Sequence, residues 1–473
     1  MVGTGVTDEL VAFRFGYLLL PSSQPVPVPG WHRIPVGRGL LVVHPELGHG
    51  SATVAERSVH LLGDPVDLDL ATADATTAAL EAVRRWHLGG DDAVVRYLAY
   101  LGGRWTAVLA DGDRTTVVPD CAGTQGTYWQ DTPEGTVVGS HVRLVAEVTG
   151  APEDTDMADR LRAAKADGIR GVVYWPGLRT AAVGVLPLLP NHLLRCEPSA
   201  AAAPERFYPF VDTALTHDPE VAYARFVDLF TRHVALLCRG RTVSISLTGG
   251  CDSGAALAAA RVWLREDSLM WTGVDLDRPH APHRKDAAAA RARADAVGAR
   301  HVVVDLSQQD RSDGYVAAYE RTWGPARHFG GFAAAARLQL PRHHVELQSM
   351  VAEVGTGFDR RPAGPMDLDA VAAFYADEPL RSDPAVRATL AEMVALMQLE
   401  PGSTGELAWQ DVVYWELRAG RWSVTRIQEN DMAHRVLLPF NQRGLLEALM
   451  GPRTPRPDKG AVRRYVAEAL PGG

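Results

Sequence analysis

The chain has 473 residues, a length that suggests about two or three domains. Its 48 Lys and Arg stand against 57 Asp and Glu, for a net charge of −9, which argues against a general nucleic-acid or membrane-surface binder. Hydrophobic residues make up 46%, enough for sizeable cores, and Cys121, Cys196, Cys238 and Cys251 are scattered without CxxC spacing. That pattern fits a reducing cytosol, not a disulfide framework or a structural zinc site. Residues 1–20 lack a basic start followed by a long apolar run, and no apolar run is long enough to span a bilayer. A cytoplasmic protein with no membrane or nucleic-acid partner is expected.

Residues 1–205 read as mostly β. Candidate strands are Ala12–Leu19, Gly39–Val43, Val59–Leu62 and Val137–Ser140. Trp105–Ala110 and Thr115–Val118 flank Asp111-Gly112-Asp113, and Asp-Gly between apolar runs predicts a hairpin. Helices are predicted over Thr76–Leu88 and Asp91–Leu101. The order of Leu101-Gly-Gly-Arg-Trp-Thr-Ala-Val-Leu-Ala-Asp-Gly112, Pro119-Asp-Cys-Ala-Gly123, Tyr128-Trp129 and Gly139-Ser140 resembles the N-terminal glutaminase-like domain of asparagine synthetases. The resemblance implies an α+β sandwich of the Ntn-hydrolase type. That family places a cysteine directly after the initiator Met, where amine and thiol act together. This chain begins Met1-Val2-Gly3, with no Cys before Cys121. A glutaminase-like domain without glutamine hydrolysis is therefore expected.

Pro187-Leu-Leu-Pro-Asn-His192, then Arg206-Phe-Tyr208-Pro209, resembles the linker of that family, and Pro198–Pro204 is rich in Ser, Ala and Pro. The border falls near residue 205, giving domains 1–205 and 206–473. Asp218-Pro219 reads as an N-cap and first helical residue. The helix that follows carries Val227, Phe230, Val234 and Leu237 at helical spacing and stops at Gly240.

A β-branched run, Thr242–Ser246, then enters Leu247-Thr248-Gly249-Gly250-Cys251-Asp252-Ser253, and an Ala-rich helix follows over Ala255–Arg265. Two adjacent glycines let backbone N–H groups approach a ligand, and a helix N-terminus favours phosphate. There is no Gly-Lys-Ser/Thr, so this is not a Walker loop. The stretch resembles the pyrophosphate-binding loop of the ATP-pyrophosphatase enzymes, usually Ser-Gly-Gly-x-Asp-Ser, with Thr248 keeping the hydroxyl. The resemblance implies ATP held by Ser246, Leu247, Thr248, Gly249, Gly250, Asp252 and Ser253, with Mg²⁺ on Asp252.

Leu269–Val274 and His301–Asp305 are further strands, separated by the helical Asp286–Val297. This alternation predicts a doubly wound parallel sheet, an α/β fold. Ligands then bind beyond the strand C-terminal ends. Gly273 leaves room there for adenine.

Residues 206–473 resemble the synthetase half of asparagine synthetase and its relatives. Gly355-Thr356-Gly357-Phe358-Asp359-Arg360 matches the family's Gly-x-Gly-x-Asp-Glu in one register, which implies Asp359 as a second carboxylate for Mg²⁺; a second register offers Glu353. Position 356 is Tyr in β-lactam-forming relatives and Glu in asparagine synthetases, so Thr356 is a candidate catalytic position. The matching segment Met432-Ala-His-Arg-Val-Leu-Leu-Pro-Phe-Asn441 is two residues short and lacks the family's Glu. Lys459-Gly-Ala-Val-Arg463 resembles the family's Lys-x-x-x-Arg. It implies Lys459, and with it Arg463, as catalytic cations on the α-phosphate and the developing oxyanion.

Other polar clusters read as ordinary structure. His280, His283 and Asp286 fit no zinc spacing. Among Trp409, Tyr414, Trp415 and Trp422, the plain reading of Glu416 and Arg418 is a buried ion pair.

The expected activity is ATP-dependent amide-bond formation, in natural-product biosynthesis, from small-molecule or peptide carboxylate and amine substrates. Lasso-type peptide macrocyclisation, ammonia-dependent asparagine formation and a non-catalytic nucleotide-binding scaffold are the alternatives. The sequence leaves the substrates and a homodimeric state open.

Overall fold

The computed structural model describes residues 12–167, 174–197, 200–278, 283–324, 330–357, 364–398, 403–452 and 459–470. Three sheets organise them into an α/β structure. The first antiparallel sheet runs Leu186–Pro187, Tyr128–Thr132, Gly135–Gly139, Tyr17–Pro21, Gly39–Val43, His32–Val36. The second runs Ala203–Arg206, His192–Cys196, Arg114–Pro119, Gly102–Asp111, Arg57–Val66, His49–Val54.

The two sheets form a sandwich because each strand alternates its apolar side chains between layers. Tyr17 and Leu19 enter the core between the sheets with Val43, Val108 and Val117. Leu18 and Leu20 face outward onto Leu144 and Val145 of the helix Val142–Thr149. On the other side, Val59 and Leu61 pack on the helical stretch Ala75–Tyr100.

That stretch is two helices, as the spacing predicts. Gly90 has φ +73°, which breaks the ladder, and the Trp86 indole donates to Asp91 at 2.8 Å across the break. The predicted hairpin pairs Asp111 with Arg114, and Gly112 supplies φ +59°. The first strand departs from its expected limits. It begins at Tyr17, not Ala12, because Phe13 and Phe15 take φ of +53° and +56° in the turn before it.

The third sheet is parallel, in the order Arg300–Asp305, Leu269–Val274, Val243–Ser246, Val345–Leu347, Arg435–Leu437. Chain order reverses beside Val243–Ser246, which makes its C-terminal end the switch point of the sheet. The helix Pro219–Cys238 leads into that strand. Asp218 caps it through the N–H groups of Glu220 and Val221, and Phe230, Val234 and Leu237 are buried. The pair expected between Glu416 and Arg418 does not form. Residues two apart on a helix point away from each other, and Glu416 instead takes a bidentate bond from Arg206 (2.7 and 2.8 Å) and one from Asn191 (2.9 Å).

His233 ties this helix to the sandwich. It is fully buried, its Nδ1 lies 2.8 Å from the Pro439 carbonyl, and a Cβ on Gly102 would stand 2.6 Å from its Nε2. Burial lowers its pKa from 6.5 to about 4. The folded state therefore holds the ring neutral, and its contribution is complete above pH 6.5 and lost as pH falls toward 4. The loss amounts to about 3 kcal/mol. His233→Asn keeps a donor for Pro439. Urea unfolding at about pH 7 and about pH 4.5 should show a smaller acid-induced loss in this variant than in wild type.

Candidate active site

The site is built where Val243–Ser246 ends and the helix Cys251–Ala260 begins. Ser246 is half-buried. Leu247 is buried, donating its N–H to the Trp271 carbonyl at 2.8 Å and accepting the Thr272 hydroxyl at 2.6 Å. The strand is thus pinned to its neighbour up to the loop. Ser253 through Ala260 are all buried, because small side chains let this helix lie close to the sheet and to Gly460–Ala469.

Thr248, Gly249 and Gly250 emerge from this rigid base with three N–H groups turned to local acceptors. Thr248 N–H meets the Ser253 hydroxyl at 3.2 Å, Gly249 N–H meets Asp286 Oδ1 at 3.3 Å, and Gly250 N–H meets the Thr248 hydroxyl at 3.1 Å. A Cβ on Gly249 would stand 3.2 Å from Asp286 and 3.3 Å from Ala289, so a bare backbone suits the approach of His283–Ala296. From that helix, Arg293 donates to the carbonyls of Thr248 (3.1 Å) and Gly250 (2.6 Å), fixing the back of the loop.

Lys459 reaches Asp252 across 207 residues of chain, its ammonium paired with the carboxylate. It stands at φ +55° just ahead of Gly460–Ala469. Tyr465 anchors that helix edge-on between Phe226 and Phe230, with centroids 5.9 and 5.6 Å away. Burial works against the charge on Lys459, but Asp252, with Glu353 contributing, holds its pKa above the ordinary value. Glu353 in turn accepts the Tyr414 hydroxyl, and the Ser349 hydroxyl donates to the Asp252 carbonyl at 3.1 Å. Two carboxylates facing one cation beside a loop of N–H donors make a donor set that fits Mg²⁺ and polyphosphate. Of the candidate metal ligands, Asp252 and Glu353 fall among the described residues.

Arg463 is exposed one turn beyond Lys459, and its N–H bonds the Lys459 carbonyl at 2.9 Å. Thr356 is buried and its hydroxyl donates to the Ala352 carbonyl at 3.0 Å, within its own short helix Ala352–Thr356. Asp359 lies outside the described residues, as do Arg360 and His280. Gly273 does not leave open space for a base. A Cβ there would stand 2.7 Å from the Phe332 ring, which itself packs on Trp271 with centroids 5.0 Å apart. Asp286, set aside with His280 and His283 as fitting no zinc spacing, bonds the loop from the helix His283–Ala296. Arg293 and Tyr414 carry no sequence signal that separates them from other helical residues. Cys121 is buried and its thiol is pushed up to about 12 by burial, so it stays protonated.

No family model matches the chain, and no curated protein matches it significantly. Among solved structures, the glutamine phosphoribosylpyrophosphate amidotransferase from B. subtilis complexed with ADP and GMP aligns at 12% identity and a TM-score of 0.26, over 73% of this chain and 72% of that chain. A structure described as the allosteric regulatory enzyme of purine biosynthesis aligns at 12% identity and a TM-score of 0.26, over 72% of this chain and 70% of that chain. At this TM-score neither likeness bears on the function of this chain.

The Arg293 clamp has a direct test. Charge-assisted hydrogen bonds are worth roughly 1.5–3 kcal/mol each. Arg293→Ala should therefore raise amide hydrogen exchange across Thr248–Ser253 by about tenfold or more, with exchange in Ala75–Tyr100 unchanged.

Proposed function

We propose that the chain is an ATP-dependent, AMP-forming carbon–nitrogen ligase, with a glutaminase-like domain at 1–205 that hydrolyses no glutamine and a synthetase domain at 206–473. The observation that carries this reading is the pairing of Lys459 with Asp252 at the first turn of the helix behind the Gly249-Gly250 loop. A cation and a carboxylate from distant parts of the chain meet where a sheet of this order binds ligands. An ATP β,γ-diphosphate would displace the hydroxyls of Thr248 and Ser253 and the carboxylate of Asp286 from the loop N–H groups. Mg²⁺ on Asp252 and Glu353 would supply charge neutralisation for those phosphates.

The chemistry divides into two steps. A substrate carboxylate oxygen attacks the α-phosphorus, the bond to the β-phosphate oxygen breaks, and pyrophosphate leaves with that electron pair. An amine then attacks the acyl carbonyl, loses a proton, and expels AMP. Lys459, freed from Asp252, stabilises the charge that grows on the α-phosphate and then on the carbonyl oxygen. Holding both reactants in one site supplies the proximity contribution. Thr356 stands where asparagine synthetases have Glu. That difference favours an acyl substrate other than aspartate, and with it natural-product biosynthesis.

Pyrophosphate release from ATP, measured across a panel of carboxylic acids and amines, tests the reading. Wild type should release pyrophosphate with at least one acid. Lys459→Ala should lower kcat by about 10²–10³-fold with ATP affinity nearly preserved. A protein that binds ATP but releases no pyrophosphate with any acid would be a nucleotide-binding scaffold.

A further inference from the structure

A cavity of about 520 Å³ lies away from the loop, between the sandwich and the helices that follow the parallel strands. Arg143, Arg162, Lys165, Arg421 and Arg426 line it, with Glu429 as the carboxylate among its lining residues. Arg143 is paired with Glu153, Arg162 with Asp159 and Arg426 with Glu429. Arg421 is different. It is 5% exposed, no carboxylate pairs with it among the described residues, and its Nε makes no hydrogen bond. One terminal nitrogen donates to the Arg179 carbonyl. The phenols of Tyr128, Tyr174 and Tyr375 lie near the Arg421 guanidinium.

Taking a guanidinium out of water costs several kcal/mol unless an anion compensates it. Folded chains rarely leave such a charge uncompensated. The segment that carries it, Tyr414–Ser423, is π-helical, a rare geometry that is frequent at functional sites. Tyr174, Trp175 and Trp422 give the cavity an apolar wall. Phe332 belongs both to the lining of this cavity and to the packing over Gly273 near the C-terminal end of Leu269–Val274.

We infer that the cavity binds a carboxylate with an aromatic or aliphatic body, its anionic end seated on Arg421 and its body against Tyr174, Trp175 and Trp422. Binding itself does not depend on the ligase reading. Only the identification of this ligand as a substrate rests on that reading. In that role Arg421 holds a second anionic group of the substrate, remote from the carboxylate that meets ATP.

The test uses the full chain without nucleotide. Phenylacetate and its neutral analogue phenylacetamide are titrated while tryptophan fluorescence and calorimetric heat are followed. Wild type should bind phenylacetate about tenfold more tightly than phenylacetamide, a difference of about 1.4 kcal/mol. Arg421→Met should bind both alike, and Arg421→Lys should restore part of the preference. Lys459→Ala should bind phenylacetate as wild type does. Because the buried charge is gone, the thermal midpoint of Arg421→Met should be no lower than that of wild type. Equal binding of the two compounds by wild type, or an undiminished preference in Arg421→Met, overturns the inference. Competition by inorganic phosphate as strong as by phenylacetate overturns the carboxylate class. A protein that fails to release pyrophosphate yet shows the Arg421-dependent preference would refute the ligase reading and leave this site standing.

Discussion

A fully buried ion pair ties the sandwich to the segment that leads into the last strand of the parallel sheet. Arg104, on the sandwich strand Gly102–Asp111, is fully buried and meets Asp431 through two bonds of 2.7 and 2.6 Å. Such a pair is expensive to desolvate and holds only if every remaining donor and acceptor is used. Here they are largely used. Arg104 Nε donates to the Thr124 carbonyl at 3.0 Å, and Asp431 Oδ1 also accepts the Val436 N–H at 3.2 Å. Val436 lies in the last strand of the parallel sheet, so the carboxylate fixes both the sandwich and the sheet edge. Asn441 repeats the arrangement a few residues on, donating to the Gly103 carbonyl at 2.7 Å and to Asp120 at 2.8 Å. Hydrogen bonds of this kind fix relative position more sharply than apolar contact does, because they tolerate little displacement.

That rigidity matters at the loop. Thr248, Gly249 and Gly250 carry N–H groups already bonded to two hydroxyls and a carboxylate. A phosphate would exchange those partners, not create bonds from nothing. The net gain is the difference between a neutral and a charge-assisted bond, plus the relief of Asp286. Under the proposed function the same exchange applies to Lys459, which would leave Asp252 to meet a phosphate. A site arranged this way stays folded when empty, at the cost of some affinity. Arg293, clipped to the Thr248 and Gly250 carbonyls, fixes the opposite side of the same loop.

Much of this frame is written in local sequence. The break at Gly90, the hairpin at Gly112, the cap at Asp218 and the strand Leu269–Val274 follow from short-range rules about φ, caps and alternation. The parallel sheet follows from alternating strands and helices, and the loop from six consecutive residues. What sequence does not carry is partnership across the chain. Glu416 finds Arg206 instead of Arg418, and Phe332 fills the space over Gly273. Arg293 looks like any other basic residue on an Ala-rich helix, and its role appears only when that helix is laid against Thr248–Gly250. Lys459 stands out in the sequence only through resemblance to a motif, and its pairing with Asp252 appears only in the structure. No periodicity joins positions so far apart.

The π-helical segment shows how such distant constraints converge on one side chain. Glu416, near its start, is fixed by Arg206 and Asn191. Near its end, a Cβ on Gly420 would stand 2.3 Å from Pro190, so the chain there lies directly against the loop that carries Asn191. Both anchors therefore sit on the same short stretch of the sandwich. With the backbone held at these two points, Arg421 has no freedom to swing toward a carboxylate on its own helix. Its next turn offers Thr425, which bonds the Arg421 carbonyl at 3.0 Å but carries no charge. The guanidinium lines the cavity beside Tyr174, and among the described residues no carboxylate pairs with it there.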